Sequence, residues 1–303
     1  MESIRRAIHN YNKISAFSLI GAVCLFLSAC QPVLAPNKLD QLQETKTLKV
    51  GILFNPSSYY IDNEGPAGFE YDLVQAFGDY TGVKIELVPS YHVAELLPKL
   101  KSGQVDMLVG GLAVTQARSE HFRYSPPYYY VSQKLVYKQG RERPTSFEEV
   151  DAPITVANQT SHHETLIRAQ KSHPSLEADI SHNADPNELL EMLMEETIDY
   201  TLADSHNLSL VRRYYPDISV AFTVEDKQPL SWLLPKNRDD SLYALLIEFF
   251  GQMHQSGELT ALEDRYFDHV EKFNYVDTRL FMKAVESVLP KYQDWFQLYA
   301  GDI

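Results

Sequence analysis

A hydroxyl and a guanidinium stand three residues apart at Thr115 and Arg118, just beyond the glycine pair Gly110-Gly111. That pairing suits an anion. Arginine offers a planar fork of donors that matches a carboxylate and keeps its charge at any physiological pH, and a neighbouring hydroxyl adds a further donor. A lone arginine is more often a solvated surface residue, so the context decides. The run from Val105 to Val109, bounded by Gly103 and by Gly110-Gly111, reads as a strand buried on both faces of a parallel sheet. Its glycines permit a sharp turn and a close approach at the carboxyl end, where ligands sit in open α/β sheets. Ser125-Pro126-Pro127 and the tyrosines that follow stiffen the exit from this segment. No positioned base or nucleophile of the kind catalysis requires is visible. His162 and His163 are adjacent and project differently from a helix, which argues against a metal pair. Neither a metal nor a cofactor is expected.

The elements that must position these groups are those of a soluble, acidic chain. It has 303 residues, 44% of them hydrophobic, enough for two domains and a large core. A net charge of -14 argues against binding nucleic acid through phosphates. Residues 1–30 read as a targeting segment: Arg5, Arg6 and Lys13 precede an apolar stretch, Ile14 to Leu27, too short to span a bilayer comfortably. It ends in Leu27-Ser28-Ala29-Cys30, a lipoprotein box with Cys30 as the lipidated residue; an ordinary secretory cleavage near Ala29 or Ala35 is the alternative. Gln31 in place of an aspartate favours the outer membrane. With Cys24 removed and Cys30 acylated, the mature domain has no thiol for a disulfide or a metal. Residues 31–45, with Pro32 and Pro36, read as a tether.

From Thr47 the pattern alternates strand and helix. Leu48 to Leu53 is a strand, and Leu73, Val74, Ala76, Phe77 and Tyr80 line a helix stopped by Gly82. Val83, Ile85 and Leu87 alternate with polar residues. The helix through Leu96, Leu97 and Leu100 tolerates Pro98 if that residue lies in the first turn. A second unit begins with strands at Gln133 to Tyr137 and Ile154 to Ala157. Ser161 with Glu164 predicts a capping box and a helix from His162, and Asp185 with Pro186 and Glu188 predicts another helix start. Tyr200 to Asp204 is a strand ending in a carboxylate, and that carboxylate can also cap the helix through Leu208 to Val211. Leu230 to Leu234 is a return strand, followed by helices over Leu242 to Gln255 and Leu259 to Phe267.

The ordered set Gly103, Asp106, Gly111, Thr115, Arg118, Phe122, Ser125, Pro127, Tyr128 and Tyr129 resembles the periplasmic solute-binding proteins of the polar amino acid type, family 3. The resemblance implies a two-lobed α/β fold of the periplasmic-binding-protein type II, with two hinge crossings near Tyr129–Val131 and Lys227–Pro229. Two short crossings allow closure over a ligand. It also implies a ligand carboxylate on Arg118, Thr115 and Gly111. Thr160 and Ser161 would add contacts at a helix start, although capping alone would explain Ser161. Tyr59 and Tyr60 would form an aromatic wall or simply pack an edge. Asp204 would receive a ligand ammonium. Amino acid importers usually carry a hydroxyl where this chain has Ala113, which favours a peptide or muropeptide over a free amino acid.

Three further stretches, 131–144, 198–210 and 275–296, are similar to membrane-bound lytic murein transglycosylase F, whose binding domain precedes a lysozyme-like catalytic domain. The implied layout is a leader at 1–30, the tether, lobe 1 at 46–130 and 229–270, lobe 2 at 131–228, and a helical linker at 271–303 leading toward a catalytic domain expected to be absent. The expectation is a lipid-anchored, non-enzymatic binding module at the periplasmic face of the outer membrane, with a muropeptide, peptide or amino acid as ligand and peptidoglycan nearby. The other expectation from the same residues is the binding protein of a polar amino acid importer.

Overall fold

The computed structural model describes residues 37–237 and 239–268. The leader with Cys30, the tether up to residue 36 and the 271–303 segment lie outside the described residues. Residues 38–45, read above as tether, are instead helix α1 (Lys38–Thr45). One buried side chain in a largely polar octet explains the difference. Leu42 is buried in the first core, while Lys38 reaches Asp106 at 2.5 Å and the Leu39 N–H donates to Ser241 Oγ at 3.1 Å.

Strand β1 (Thr47–Leu53) is followed by a small hairpin of β2 (Tyr60–Ile61) and β3 (Pro66–Ala67). Helix α2 (Phe69–Thr81) buries Phe69, Leu73, Val74 and Phe77 and ends as predicted at Gly82, whose left-handed backbone closes the last turn. Next come β4 (Lys84–Ser90), α3 (Val93–Lys101) and β5 (Met107–Val109). Pro98 lies well inside α3, not in its first turn. Its missing N–H removes one helical bond, and burial of Val93, Leu96 and Leu100 holds the nine-residue helix together. Helix α4 (Gln116–His121) and strand β6 (Phe122–Tyr124) end the first passage of the chain through this half.

The chain then enters a second sheet through β7 (Tyr129–Lys138), β8 (Ile154–Ala157), α5 (Ser161–Ser172), β9 (Ala178–Ser181), α6 (Pro186–Met194), β10 (Tyr200–Asp204) and α7 (Ser205–Val211). Strand β11 (Ile218–Leu230) runs back antiparallel along β7, from Ile218 opposite Lys138 to Leu230 opposite Tyr129. Strand β12 (Leu233–Pro235) rejoins the first sheet, and α8 (Ser241–Ser256) and α9 (Glu258–Glu263) pack on it.

The two sheets share a plan. The first has the order β4-β1-β5-β12-β6, with β1 parallel to both β4 and β5; the second has the order β11-β7-β10-β8-β9, with β8 parallel to both β10 and β9. Each sheet packs its own core. The first centres on Trp232, Phe77, Phe249 and Phe250, the second on Leu135, Ile154, Tyr200 and Leu202. Burying such a side chain stabilises by about 1.5–3 kcal/mol, so each half has ample material for a core of its own. Among the described residues no helix is long and apolar enough to cross a membrane.

Candidate functional site

The strand ends carry the site. At the carboxyl end of β5, Gly110 and Gly111 have φ of 137° and 67°, and a Cβ at Gly110 would lie 2.8 Å from the Leu53 Cβ. Only glycine fits this turn. Glu70, in the first turn of α2, holds it. Its carboxylate accepts the Gly111 N–H at 2.8 Å, the Trp232 Nε1–H at 2.8 Å and the Tyr128 hydroxyl. Burial pushes this carboxyl above its ordinary range, and the same hydrogen bonds pull against the shift. Glu70 is therefore a support for the strand end. It was not visible in the sequence, because its three partners come from three distant segments.

Arg118 sits where the spacing placed it, on the one-turn helix α4. Thr115 caps that helix by accepting the Arg118 N–H at 3.3 Å, so its hydroxyl holds the arginine's backbone. Arg118 as a whole residue is 7% exposed. Nη1 donates to the Ala113 carbonyl at 3.3 Å and Nη2 to the Gln159 carbonyl at 2.8 Å, while Nε has no partner among the described residues. Gln159 belongs to the second sheet's β8–α5 turn, so Arg118 bridges the two halves.

On that facing side Thr160, not Ser161, is the N-cap. Its Oγ1 accepts the His163 N–H at 3.3 Å, and α5 begins at Ser161. Gln159, with a left-handed φ of 59°, turns the chain so that Thr160 is the residue at the helix end. This corrects the capping box expected at Ser161 and Glu164, and it leaves the Ser161 hydroxyl free of the capping role. The helix starts at Asp185 follow expectation, with a complete capping box to Glu188 and Pro186 at the first position. Asp204 occupies the cap position of α7, yet its side chain makes no capping bond. It meets His162 instead: Nε2 and Oδ1 are 3.2 Å apart, with side-chain exposures of 6% and 14%. Burial pushes the Asp204 carboxyl up, but His162, His206 and Arg118 together outweigh it and hold the group below the ordinary carboxylate range. Burial keeps the His206 imidazole below its ordinary range.

These groups line one cleft between the carboxyl ends of the two sheets, the place where ligands bind in open α/β folds. Gly111, Arg118, Thr160, Ser161 and Asp204 all line it. Thr115 does not; nor do Tyr59 and Tyr60. Tyr60 is buried, and Tyr59 packs against Phe54 and Tyr71, so the aromatic at the cleft is Tyr91. The cleft also holds His162 and His206, which the spacing did not mark as ligand groups. The one available signal was His206 following the strand-end carboxylate by two residues. Among the described residues no cluster of three or more His, Cys, Asp or Glu is placed to hold a metal. The cleft volume is about 120 Å³. At ~30 Å³ per water in the liquid, that is room for about four waters, the scale of a small ligand group.

Comparison with known proteins agrees with this geometry. The profile of the bacterial extracellular solute-binding proteins, family 3, matches residues 48–269. Membrane-bound lytic murein transglycosylase F of Idiomarina loihiensis is 42% identical over 96% of this chain and 64% of its own length. The same enzyme of Aliivibrio fischeri is 42% identical over 97% of this chain and 60% of its own. The chain thus spans less than two thirds of the relatives it matches. Among solved structures, a mutant of ArgBP from T. maritima superposes with a TM-score of 0.67 at 21% identity, covering 76% of this chain and 99% of that one. An ancestral arginine-binding protein bound to arginine gives 0.66 at 21% identity, covering 73% and 98%. Those likenesses establish the two-lobed, type II binding-protein fold.

Proposed function

The chain belongs to the bacterial extracellular solute-binding proteins, family 3, and from that membership we propose that its cleft closes on a small ligand whose carboxylate is held by Arg118. The supporting observation is the buried arginine, bonded to carbonyl oxygens on both halves, with Nε left without a partner among the described residues. A buried cation is costly unless an anion compensates it, and a ligand carboxylate supplies that anion on closure. Ser161 and the amino-terminal end of α5 line the same cleft, and the helix dipole there favours negative charge. The cleft's size suits a single amino acid or the terminal residue of a larger peptide or muropeptide.

The module acts, on this reading, as a sensor for wall-derived ligands, anchored by lipid on Cys30 to the outer membrane and facing the periplasm. Identity of about 42% along nearly the whole chain to lytic murein transglycosylase F, against 21% to amino acid-binding structures, favours this over service to an importer. The wall-cutting chemistry belongs to the relatives' name; binding is the role proposed for this chain.

Arg118→Lys tests the site. Lysine's point charge cannot reproduce a fork held by two carbonyls and a ligand. Calorimetry of the full chain in detergent, against a library of amino acids, peptides and muropeptides, should show binding weakened by about 1.5–3 kcal/mol, the scale of a charged hydrogen bond. If the variant bound every ligand as well as the wild type, the carboxylate site would be misplaced.

A further inference from the structure

We propose that His162 occupies, against Asp204, the place a ligand ammonium would take, so that the cleft selects carboxylates whose amine is acylated rather than free zwitterions. The proposal rests on the carboxylate-binding reading given above and refines it. Three observations carry it. His162 Nε2 lies 3.2 Å from Asp204 Oδ1, and both side chains are largely removed from water. At that distance the imidazole edge covers Oδ1, and among the described residues neither atom has an aligned hydrogen-bond partner. Asp204 is also flanked by His206 and Arg118, so three basic groups surround one carboxylate.

The other carboxylates near the cleft are engaged by neighbouring N–H and O–H donors. Asp185 Oδ1 accepts the Asn187 and Glu188 N–H groups at 2.7 and 3.1 Å, and Glu70 is held by Gly111, Trp232 and Tyr128. An incoming ammonium would have to displace His162 from Asp204 while entering a pocket that already carries Arg118. A like charge so placed is repelled. An acylated amine brings no charge and leaves the His162–Asp204 contact intact, while its carboxylate still reaches Arg118. The C-terminal residue of a peptide has this chemistry, as does an N-acetyl amino acid.

The test is calorimetric titration of the full chain in detergent with the free L-amino acids and, in parallel, their N-acetyl derivatives. At least one N-acetyl derivative should bind tenfold or more tightly than the same residue with its amine free. His162→Gln, checked by its melting temperature, should narrow that gap to less than threefold or reverse it. A wild type that binds free amino acids as well as or better than acylated ones overturns the inference while the carboxylate site stands, and this comparison needs no variant. An unchanged preference in His162→Gln overturns it too. If neither class binds the wild type, the carboxylate-binding reading itself fails and the inference falls with it.

Discussion

The Nη2 of Arg118 donates to the carbonyl of Gln159 at 2.8 Å, joining the two halves of the molecule across the cleft. Gln159 presents that carbonyl from a left-handed backbone, φ 59°, a conformation a non-glycine residue adopts at a cost of about 1–2 kcal/mol. Arg118 thus lines the cleft and ties its two sides together.

Arg118→Lys should therefore open the free protein as well as weaken its ligand. Lysine cannot span the Ala113 and Gln159 carbonyls together. Small-angle scattering without ligand should give a larger radius of gyration for the variant. An unchanged radius would mean that other contacts hold the halves together.

Gly111→Ala should impair closure more than folding. A Cβ there would lie 3.2 Å from His206 Nε2 on the facing half, at a φ of 67°. The left-handed backbone costs about 1–2 kcal/mol, and the contact pushes His206 away. We expect a modestly lower melting temperature with a disproportionate loss of ligand affinity, both read from one thermal-shift titration. Equal affinity in the variant would show that Gly111 and His206 do not approach in the bound state.

Glu70→Ala should destabilise the first half strongly. It strands three donors, from Gly111, Trp232 and Tyr128. At about 1–3 kcal/mol per buried unsatisfied group, the loss should reach roughly 3 kcal/mol or more in urea unfolding. A loss under about 1 kcal/mol would mean that water replaces the carboxylate.

The charge state of Glu70 has its own signature. Its folded-state pKa is raised above the ordinary 4.5, chiefly by burial. A raised pKa gives stability that is fully present below the unfolded value and is lost as pH rises through the folded one. The stability of the wild type relative to Glu70→Gln should therefore fall as pH rises from 4.5. A difference that stays flat or grows with pH would contradict the assignment.

Lipid attachment, which falls outside the described residues, depends on Cys30 alone on the reading of Leu27-Ser28-Ala29-Cys30. A fatty-acid probe should label the wild type and not Cys30→Ala. Persistent labelling of the variant would place the anchor elsewhere.

Local chemistry was legible in the chain by itself. The Gly82 helix stop, the capping box from Asp185 to Glu188, the glycine turn after β5 and the Arg118 spacing all depend on neighbours a few residues away. So did the α/β alternation, whereas the two-lobed arrangement was implied by the family resemblance. The thirteen-residue β11 escaped because register shifts after Val220, Thr223 and Glu225 break the two-residue period on which a strand is recognised. Helix α1 escaped because it buries a single leucine, Leu42, too little for a helical period to show. Thr160 and Ser161 can both cap a helix, and only the turn at Gln159 decides between them. Tyr60 went to the core while Tyr91 reached the cleft, because the strand ends and not the aromatic residues define the wall. The pairing of His162 with Asp204 joins residues more than forty positions apart. Such a contact exists only once β8 and β10 lie side by side and direct their following segments into one cleft, and that is a property of the sheet, not of any short stretch of chain.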